Sequence, residues 1–315
     1  MPQVVADLLL LLATAIWGST FPMVKETISS VRPFTFLAAR FLTASSALLL
    51  YLMVRRLRCL RTSRQRQGKD TRTATGEHPG LRPGFLGGCV ITGMVLLFAY
   101  CTQTFGMLTI PAGKAAFIVG MSVVIVPVVS AILLKTTPDT STSTGVLLAA
   151  AGLGFMSLTL PFRIDTGDLL VFLSAVGYAA HILLVGVYSK DNDPVVFATI
   201  QVMVVGIGSL VAAMLFERPL VIPRQTWSAI LYCGILASAV TMLIQATAQR
   251  YTSATLAALM FSGEPVFGSF FSWLILGETL TPRESVGAVL ILAGILISKI
   301  SSLKQQPSGE EQVAI

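Results

Sequence analysis

Two stretches of this chain can be laid on each other without a gap. Residues 112–154 read AGKAAFIVGMSVVIVPVVSAILLKTTPDTSTSTGVLLAAAGLG, and residues 254–296 read ATLAALMFSGEPVFGSFFSWLILGETLTPRESVGAVLILAGIL. They share about a dozen identical positions, among them Ala115/Ala257, Ala116/Ala258, Ser130/Ser272, Gly145/Gly287 and Gly152/Gly294. An apolar composition produces some identities by itself, but it does not account for the ungapped length or the paired glycines. The chain therefore contains an internal repeat.

The repeat also reaches the beginning of each half. Residues 7–9 match residues 168–170, both reading Asp-Leu-Leu, and Pro33 matches Pro194 at the same offset. Each copy holds about five hydrophobic spans. An odd number of spans makes the second copy cross the membrane in the opposite direction, which is typical of transporters with a site between the halves near the middle of the bilayer.

Composition excludes a soluble domain. The chain has 315 residues, of which 54% are hydrophobic and 12% charged, whereas a soluble domain carries about a quarter charged residues. Apolar runs of about 18 to 25 residues can each cross a hydrocarbon core roughly 30 Å thick. They predict ten helices, at 6–25, 33–54, 84–106, 112–134, 143–161, 168–188, 194–216, 226–248, 254–276 and 282–300.

We therefore predict an all-α polytopic membrane protein built from two inverted-topology repeats of five transmembrane helices. The first repeat is expected over 1–162 and the second over 163–301, with a polar, disordered cytoplasmic tail over 302–315. No cofactor or metal is expected, because the four cysteines lack metal or redox spacing and are interpreted as buried structural thiols. The sequence does not decide between a monomer and a homodimer.

Basic residues orient the predicted spans. The net charge is +7, and most Lys and Arg side chains fall on the side of both termini, which the positive-inside rule places in the cytoplasm of a multi-pass cell-membrane protein. The long connector 55–83 is predicted to be a basic cytoplasmic loop that contacts anionic lipid head groups. Nucleic-acid binding is not expected, because no aromatic residues alternate with the charges. The loop contains Arg55, Arg56, Arg58, Arg61, Arg64, Arg66, Lys69, Arg72 and Arg82.

Charged residues inside the spans are candidates for a site, because each costs about 2.5 to 3.5 kcal/mol at a helix centre. Glu264 lies near the middle of the ninth span, and Pro265 is expected to kink that helix and free carbonyls to line a cavity. Glu264 could handle substrate or a proton, or fix helix packing. Arg40, in the second span, could bind a carboxylate or phosphate, snorkel outward or tie two helices together.

The first and sixth spans carry matching polar faces. Tyr178 and His181 are three residues apart and so share one helix face, and the repeat aligns them with Trp17 and Thr20. We predict that the four side chains face a shared substrate cavity. His181 is a second candidate for proton coupling, with hydrogen bonding or packing as the alternative. Gly18 and Ser19 predict an interruption of the first span.

Several strings resemble the EamA branch of the drug/metabolite transporter superfamily. They are Ile16-Trp17-Gly18-Ser19-Thr20-Phe21-Pro22, Arg40-Phe41, Tyr251-Thr252-Ser253-Ala254, Glu264-Pro265-Val266-Phe267 and Leu276-Gly277-Glu278-Thr279-Leu280-Thr281. The resemblance implies ten helices in two inverted repeats, a central cavity, alternating access and efflux of amino acids or other metabolites. It makes Trp17 a cavity or gate aromatic. The first copy departs from the pattern, with Ser122-Val123 where the branch often has Ser-Pro.

The function predicted is secondary transport of a small metabolite, an amino acid or amphipathic compound, with proton coupling through Glu264 or His181 as an option. One alternative is a translocator of a lipid or lipid-linked intermediate, in which Arg40 would hold a head-group phosphate. An intramembrane enzyme is the weaker alternative, because no paired catalytic groups or nucleophile motif accompany these residues. ATP-driven transport by this chain is not expected without a phosphate-binding Gly-Lys-Ser/Thr loop.

Overall fold

The computed structural model describes residues 1–67, 84–133, 135–157, 165–190, 192–276 and 280–304, and all regular structure in these ranges is helical. The helices are α1 Gln3–Thr27, α2 Pro33–Gln67, α3 Phe85–Gly106, α4 Ala112–Gly120, α5 Ser122–Leu133, α6 Thr140–Ser157, α7 Thr166–Tyr188, α8 Pro194–Phe216, α9 Trp227–Leu231, α10 Thr241–Ala248, α11 Ala254–Phe261, α12 Glu264–Leu276 and α13 Pro282–Lys304. A π-helical segment, Tyr232–Val240, joins α9 to α10.

Eight helical segments in the described ranges are long and apolar enough to cross a membrane. The other two predicted spans are the shorter apolar helix α6 and helix α13, which pack against each other. The prediction of an all-α, multi-pass membrane protein is thus confirmed. Residues 302–304 of the predicted tail belong to helix α13, because the helix continues four residues past the predicted end of the last span. Residues 305–315 and the boundary between the repeats at 162 and 163 lie outside the described residues.

The α6–α13 interface displays the inverted repeat directly. A methyl group added to Gly145 would lie 2.6 Å from the carbonyl oxygen of Gly294, and one added to Gly287 would lie 2.5 Å from that of Gly152. Gly145 corresponds to Gly287 in the repeat, and Gly152 corresponds to Gly294. Exchanging the two copies therefore turns the contact between Gly145 and Gly294 into the contact between Gly287 and Gly152, as a pseudo-twofold axis requires. Small residues allow the two backbones to approach this closely.

Helices α2 and α8 form a second antiparallel pair across the repeats. At one end, the Glu217 carboxylate caps α2 by accepting hydrogen bonds from the amides of Phe34 at 3.0 Å and Thr35 at 2.8 Å. At the other end, Asp193 caps α8 and forms a salt bridge with Arg55. Carboxylates stabilise the positive N-terminal ends of both helices.

Two predicted features of helices α1 and α2 differ from the structure. Helix α2 continues through 55–67, where a loop was predicted, because this arginine-rich stretch favours helix and contains neither glycine nor proline before Gly68. Helix α1 is continuous, and Gly18 instead packs against the start of α12, where an added methyl would lie 2.5 Å from the carbonyl oxygen of Glu264. The remainder of the basic connector, 68–83, lies outside the described residues.

The fourth and ninth spans are each broken in the middle rather than continuous. The first break is at Met121, between α4 and α5, and the second is at Ser262 and Gly263, between α11 and α12. Pro265 does not kink a continuous helix; it follows the break as the second residue of α12, where its missing amide hydrogen costs no helical hydrogen bond. Because the first copy breaks at the matching point without a proline there, the break belongs to the repeat and not to Pro265.

Candidate functional site

A cavity of about 720 Å³ lies between the two halves. Residues of α1, α2, α3, α4, α7, α10 and α11 border it, together with the first residues of α5 and α12. This figure includes space that is open to the surroundings. The packing of the two repeats therefore leaves an open cavity at their interface.

Six of the seven residues predicted for the cavity border it: Trp17, Thr20, Arg40, Tyr178, His181 and Glu264. Pro265 does not; it is buried in α12 beside Glu264. The lining also contains five pairs of positions that match through the repeat, namely Trp17/Tyr178, Thr20/His181, Phe21/Ile182, Val119/Phe261 and Ser122/Glu264. The cavity walls are thus built symmetrically and carry different side chains on the two sides.

The two helix breaks place Ser122 and Glu264 at the first positions of α5 and α12, facing the cavity. Glu264 is only 9% exposed. Its carboxylate accepts no hydrogen bond and forms no salt bridge with the described residues. The position at a helix N-terminus favours a negative charge there, while burial disfavours it. A buried carboxylate without a protein partner is a candidate to bind a cation or a proton.

Arg40 is 4% exposed, and it therefore does not snorkel to the membrane surface. Its Nε donates to Ser238 Oγ at 2.8 Å, and one terminal nitrogen donates to the carbonyl oxygen of Ala237 at 3.3 Å. Its guanidinium carbon also lies 4.9 Å from the ring centre of Tyr100 and 5.2 Å from that of Phe41. These contacts tie α2 to the π-helical segment and also hold a cation at the cavity wall.

Arg40 and Glu264 do not neutralise each other. Neither side chain forms a salt bridge with a described residue, yet both border the same cavity. Unpaired charges in a site of low dielectric are costly unless a ligand or a proton compensates them. The cavity is thus lined by one positive and one negative group, and Trp17, Tyr100 and Tyr178 contribute aromatic side chains to its walls.

His181 is held by a hydrogen bond 2.7 Å long between its Nε2 and Gln201 Oε1. The Gln201 amide nitrogen donates to the carbonyl of Phe197 at 3.3 Å, so its oxygen must be the acceptor toward His181. The imidazole therefore carries its proton on Nε2 when neutral. Gln201 matches Arg40 in the repeat. It does not border the cavity, and it contacts His181, which does.

Two buried aspartates link the repeats at opposite ends of the bundle. Asp7 accepts from Thr252 Oγ1 at 2.6 Å and pairs with Lys299. Its repeat counterpart, Asp168, pairs with Lys114 at 2.7 Å. Because an odd number of spans separates the starts of α1 and α7, the Asp7 pair and the Asp168 pair lie at opposite faces. Lys114 thereby bridges α4 and α7.

Several of these residues were not singled out by the sequence. Tyr100 sits in an apolar run without a charge to mark it, and Ser238 is a small residue in another apolar run. Asp7 and Asp168 were recognised as repeat markers, although a buried aspartate in both copies is itself a signal for an ion pair. Their partners could not be predicted, because they lie between 54 and 292 residues away along the chain.

The cysteines and acidic residues do not assemble a metal site in the part of the chain that the structure describes: no group of three or more His, Cys, Asp or Glu side chains converges there. All four cysteines are free thiols. Cys89 and Cys233 are buried and Cys101 is partly buried, whereas Cys59 is exposed on the extension of α2. The three cysteines inside predicted spans are thus buried or partly buried, and the exposed one, Cys59, lies in the stretch that was predicted as a connector.

Known proteins match most of the chain. An "Uncharacterized transporter" from Archaeoglobus fulgidus is 32% identical over 292 residues, which cover 93% of this chain and 85% of that protein. "Uncharacterized transporter YoaV" from Bacillus subtilis is 24% identical, covering 90% and 93%. A solved crystal structure aligns with a TM-score of 0.75 over 97% of this chain and all of the other, at 14% identity, and so shares the fold.

The family profile matches the chain in two parts, and these parts correspond to the two repeats that enclose the cavity. The profile of the EamA-like transporter family covers residues 4–158 and again 165–300. Together with the helical bundle and the relatives named as transporters, the match confirms the resemblance that the motifs predicted. This chain is a multi-pass membrane transporter that belongs to the EamA-like transporter family.

Proposed function

We propose that this transporter exports a small amphipathic metabolite that carries both a carboxylate and an amino group, such as an amino acid with an apolar side chain. The observation that carries the proposal is the pair of buried, mutually unpaired charges, Arg40 and Glu264, in one cavity. Arg40 would bind the carboxylate, since a guanidinium matches its geometry. Glu264 would bind the ammonium group, and the aromatic rings of Trp17, Tyr100 and Tyr178 would pack against the apolar part.

Transport would proceed by alternating access, with the two repeats rocking about the cavity. The Asp7 pair and the Asp168 pair support this proposal, because each joins the two repeats at one face only. Opening one face requires its ion pair to separate while the other stays closed. The buried pairs would therefore act as latches that are released in turn.

Glu264 is the better candidate for proton coupling. His181 already donates to Gln201, whereas the Glu264 carboxylate has no partner among the described residues. A proton and the substrate ammonium group would compete for this carboxylate, so that substrate leaves when a proton arrives. Such competition couples efflux to proton entry.

The proposed location is the cell membrane, with both termini in the cytoplasm. The Asp7–Lys299 contact supports having both ends at one face, since it joins the first turns of α1 to the end of α13. Arg55, Arg56 and Arg58 continue α2 at that same face, where basic residues favour the cytoplasm and anionic lipid.

The decisive variant is Glu264→Gln, which keeps the shape and removes the charge. In proteoliposomes loaded with L-phenylalanine, we expect efflux driven by a pH gradient to be abolished while the protein keeps its unfolding temperature. Glu26→Gln, at an exposed position near the end of α1, is the matched control and should transport normally. Full gradient-driven efflux by the Glu264→Gln variant would refute the coupling.

Binding tests the substrate class separately. Ligands that bind the folded state raise its unfolding temperature, so L-phenylalanine should stabilise the protein more than phenethylamine, which lacks the carboxylate, or 3-phenylpropionate, which lacks the amine. Arg40→Gln should remove the preference for L-phenylalanine over phenethylamine. Equal stabilisation by all three compounds would contradict recognition of both charges, and stabilisation by lipid head groups alone would favour a lipid translocator.

A further inference from the structure

The π-helical segment Tyr232–Val240 holds the cation of the cavity from behind. Ser238, in this segment, is fully buried and does not border the cavity, yet its hydroxyl oxygen lies 2.8 Å from Arg40 Nε. Gly234 of the same segment permits this approach, because a methyl group there would lie 2.8 Å from the carbonyl oxygen of Arg40. Helix α2 and the π-helical segment are therefore in backbone contact at the level of Arg40.

The Ser238 hydroxyl can only accept a hydrogen bond from Arg40. Its hydroxyl hydrogen is donated to the carbonyl oxygen of Cys233 at 2.8 Å, five residues earlier in the chain. A hydroxyl has one hydrogen and two lone pairs, so the oxygen remains available only as an acceptor. The Arg40 Nε–H points at that oxygen. Widening of the helix in a π-turn brings residues five apart into this register.

The same segment also holds an aromatic wall of the cavity. The carbonyl oxygen of Ala237 accepts from Trp17 Nε1 at 2.9 Å and from a terminal nitrogen of Arg40 at 3.3 Å. Two adjacent residues of the π-helical segment thus orient two side chains that border the cavity. With Nε and one terminal nitrogen fixed, the guanidinium plane is set by the protein before any ligand arrives.

The other repeat lacks this arrangement. Helix α3 matches the π-helical span by its place in the repeat but is a regular α-helix. Tyr178, the counterpart of Trp17, bonds to the side chain of Gln103 on α3 and not to a backbone carbonyl. Gln201, the counterpart of Arg40, bonds to His181. The π-helical segment is therefore tied to the side of the cavity that carries the cation.

We propose that Ser238 is a positioning residue that sets substrate affinity by aiming the Arg40 guanidinium into the cavity. The proposal rests on the proposed function of Arg40 as the carboxylate-binding group. A guanidinium that is already oriented loses less conformational entropy on binding and presents its free N–H groups together. Without the Ser238 acceptor, the Arg40 guanidinium could adopt several orientations. The substrate carboxylate would then have to bind a guanidinium that is not yet oriented toward it.

The first experiment observes Arg40 directly and needs no ligand. In protein labelled with 15N-arginine, the Arg40 Nε–H resonance is assigned by its loss in Arg40→Gln. We expect this signal to be sharp and slow to exchange in the parent protein and in Ser238→Thr, which keeps the hydroxyl, and to broaden or vanish in Ser238→Ala. Ser209→Ala is the matched control, because Ser209 is a buried serine whose hydroxyl has no partner in the described part of the chain.

The second experiment measures L-phenylalanine affinity from the shift in unfolding temperature. We expect Ser238→Ala to weaken binding about fivefold to tenfold, Ser238→Thr and Ser209→Ala to change it little, and Ser238→Ala to have no further effect in an Arg40→Gln background. An unchanged Arg40 signal in Ser238→Ala would overturn the proposal. So would an equal loss of affinity whether or not Arg40 is present, because that loss would not pass through the guanidinium.

The two experiments separate this proposal from the proposed function. If Arg40→Gln binds L-phenylalanine as the parent does, the role of Arg40 in binding is wrong even when Ser238→Ala removes the Nε–H signal. If Arg40→Gln loses binding and Ser238→Ala does not, Arg40 binds the substrate and Ser238 does not position it.

Discussion

Replacing Gly287 by alanine should open the α6–α13 interface. The added methyl group would lie 2.5 Å from the carbonyl oxygen of Gly152 and 2.8 Å from the backbone nitrogen of Met156. Ordinary contact begins at 3.4 Å, so the helices must separate locally by about 0.9 Å. The Met156 side chain could move its Cγ, which would lie 2.6 Å away, but the other two atoms belong to the backbone of the facing helix, and no side-chain rotation relieves the overlap with them.

The expected cost follows from two opposing effects. Overpacking costs about 3 kcal/mol at the upper end of its usual range, which applies because backbone atoms are displaced. Alanine favours helix over glycine by about 1 kcal/mol. The net loss should be about 2 kcal/mol, whereas Gly186→Ala, with its nearest neighbours at 3.8 and 3.9 Å, should gain most of that propensity without a clash.

The assay is the intrinsic fluorescence of Trp17, Trp227 and Trp273 during heating of the purified protein. A difference of about 3 kcal/mol between Gly287→Ala and Gly186→Ala corresponds to a separation of about 4–5 °C in unfolding temperature for a chain of 315 residues. Adding Gly152→Ala to Gly287→Ala should cost less than the sum of the two, because one separation of the helices relieves both overlaps. An unfolding temperature for Gly287→Ala equal to that of Gly186→Ala would refute the reasoning.

Two further predictions concern buried and partly buried carboxylates. Asp7→Asn should speed hydrogen–deuterium exchange about fivefold to a hundredfold in 249–261 and leave exchange in 108–120 unchanged, and Asp168→Asn should do the reverse. Removing one charge of a buried ion pair destabilises only the helices that this pair joins at its own face of the bundle. The same exchange response to both variants would contradict separate latches. Burial disfavours ionised Asp193, but the Arg55 guanidinium and the amides at the start of α8 outweigh it and lower its pKa. The stabilisation from Asp193 is therefore complete at neutral pH and is lost as pH falls below about 4, and Asp193→Asn should unfold with a flatter acid dependence; an identical dependence would show that this carboxyl does not matter.

Much of the architecture could be predicted from local sequence. Long apolar runs predict spans because a chain in lipid must satisfy its own backbone hydrogen bonds. Paired glycines identify the repeat, and in the structure they meet across the α6–α13 interface. Helical spacing and repeat alignment together predicted that Trp17 and Thr20 of α1 and Tyr178 and His181 of α7 face one cavity. All four border it.

Other features depend on contacts between distant residues. The break at Met121 directly follows Gly120, but a single glycine does not predict a break, and Pro127 of the same span lies inside α5. The π-helical segment carries no marker in its composition. Pro265 suggested a kinked helix, whereas the structure places a break before it. These backbone shapes are set by neighbouring helices, as when Gly18 brings α1 against the start of α12.

By itself, the sequence determined that the chain is a membrane bundle of two opposed copies, since hydrophobicity and repetition are properties that each segment carries alone. It also determined that Arg40 and Glu264 are exceptional, because charges are costly in lipid wherever the chain places them. Only the tertiary structure decided that they share one cavity unpaired and that Ser238 holds Arg40. Those relations join residues nearly 200 positions apart or more, and hydrogen bonds and ion pairs form only when packing brings their atoms within about 3 Å.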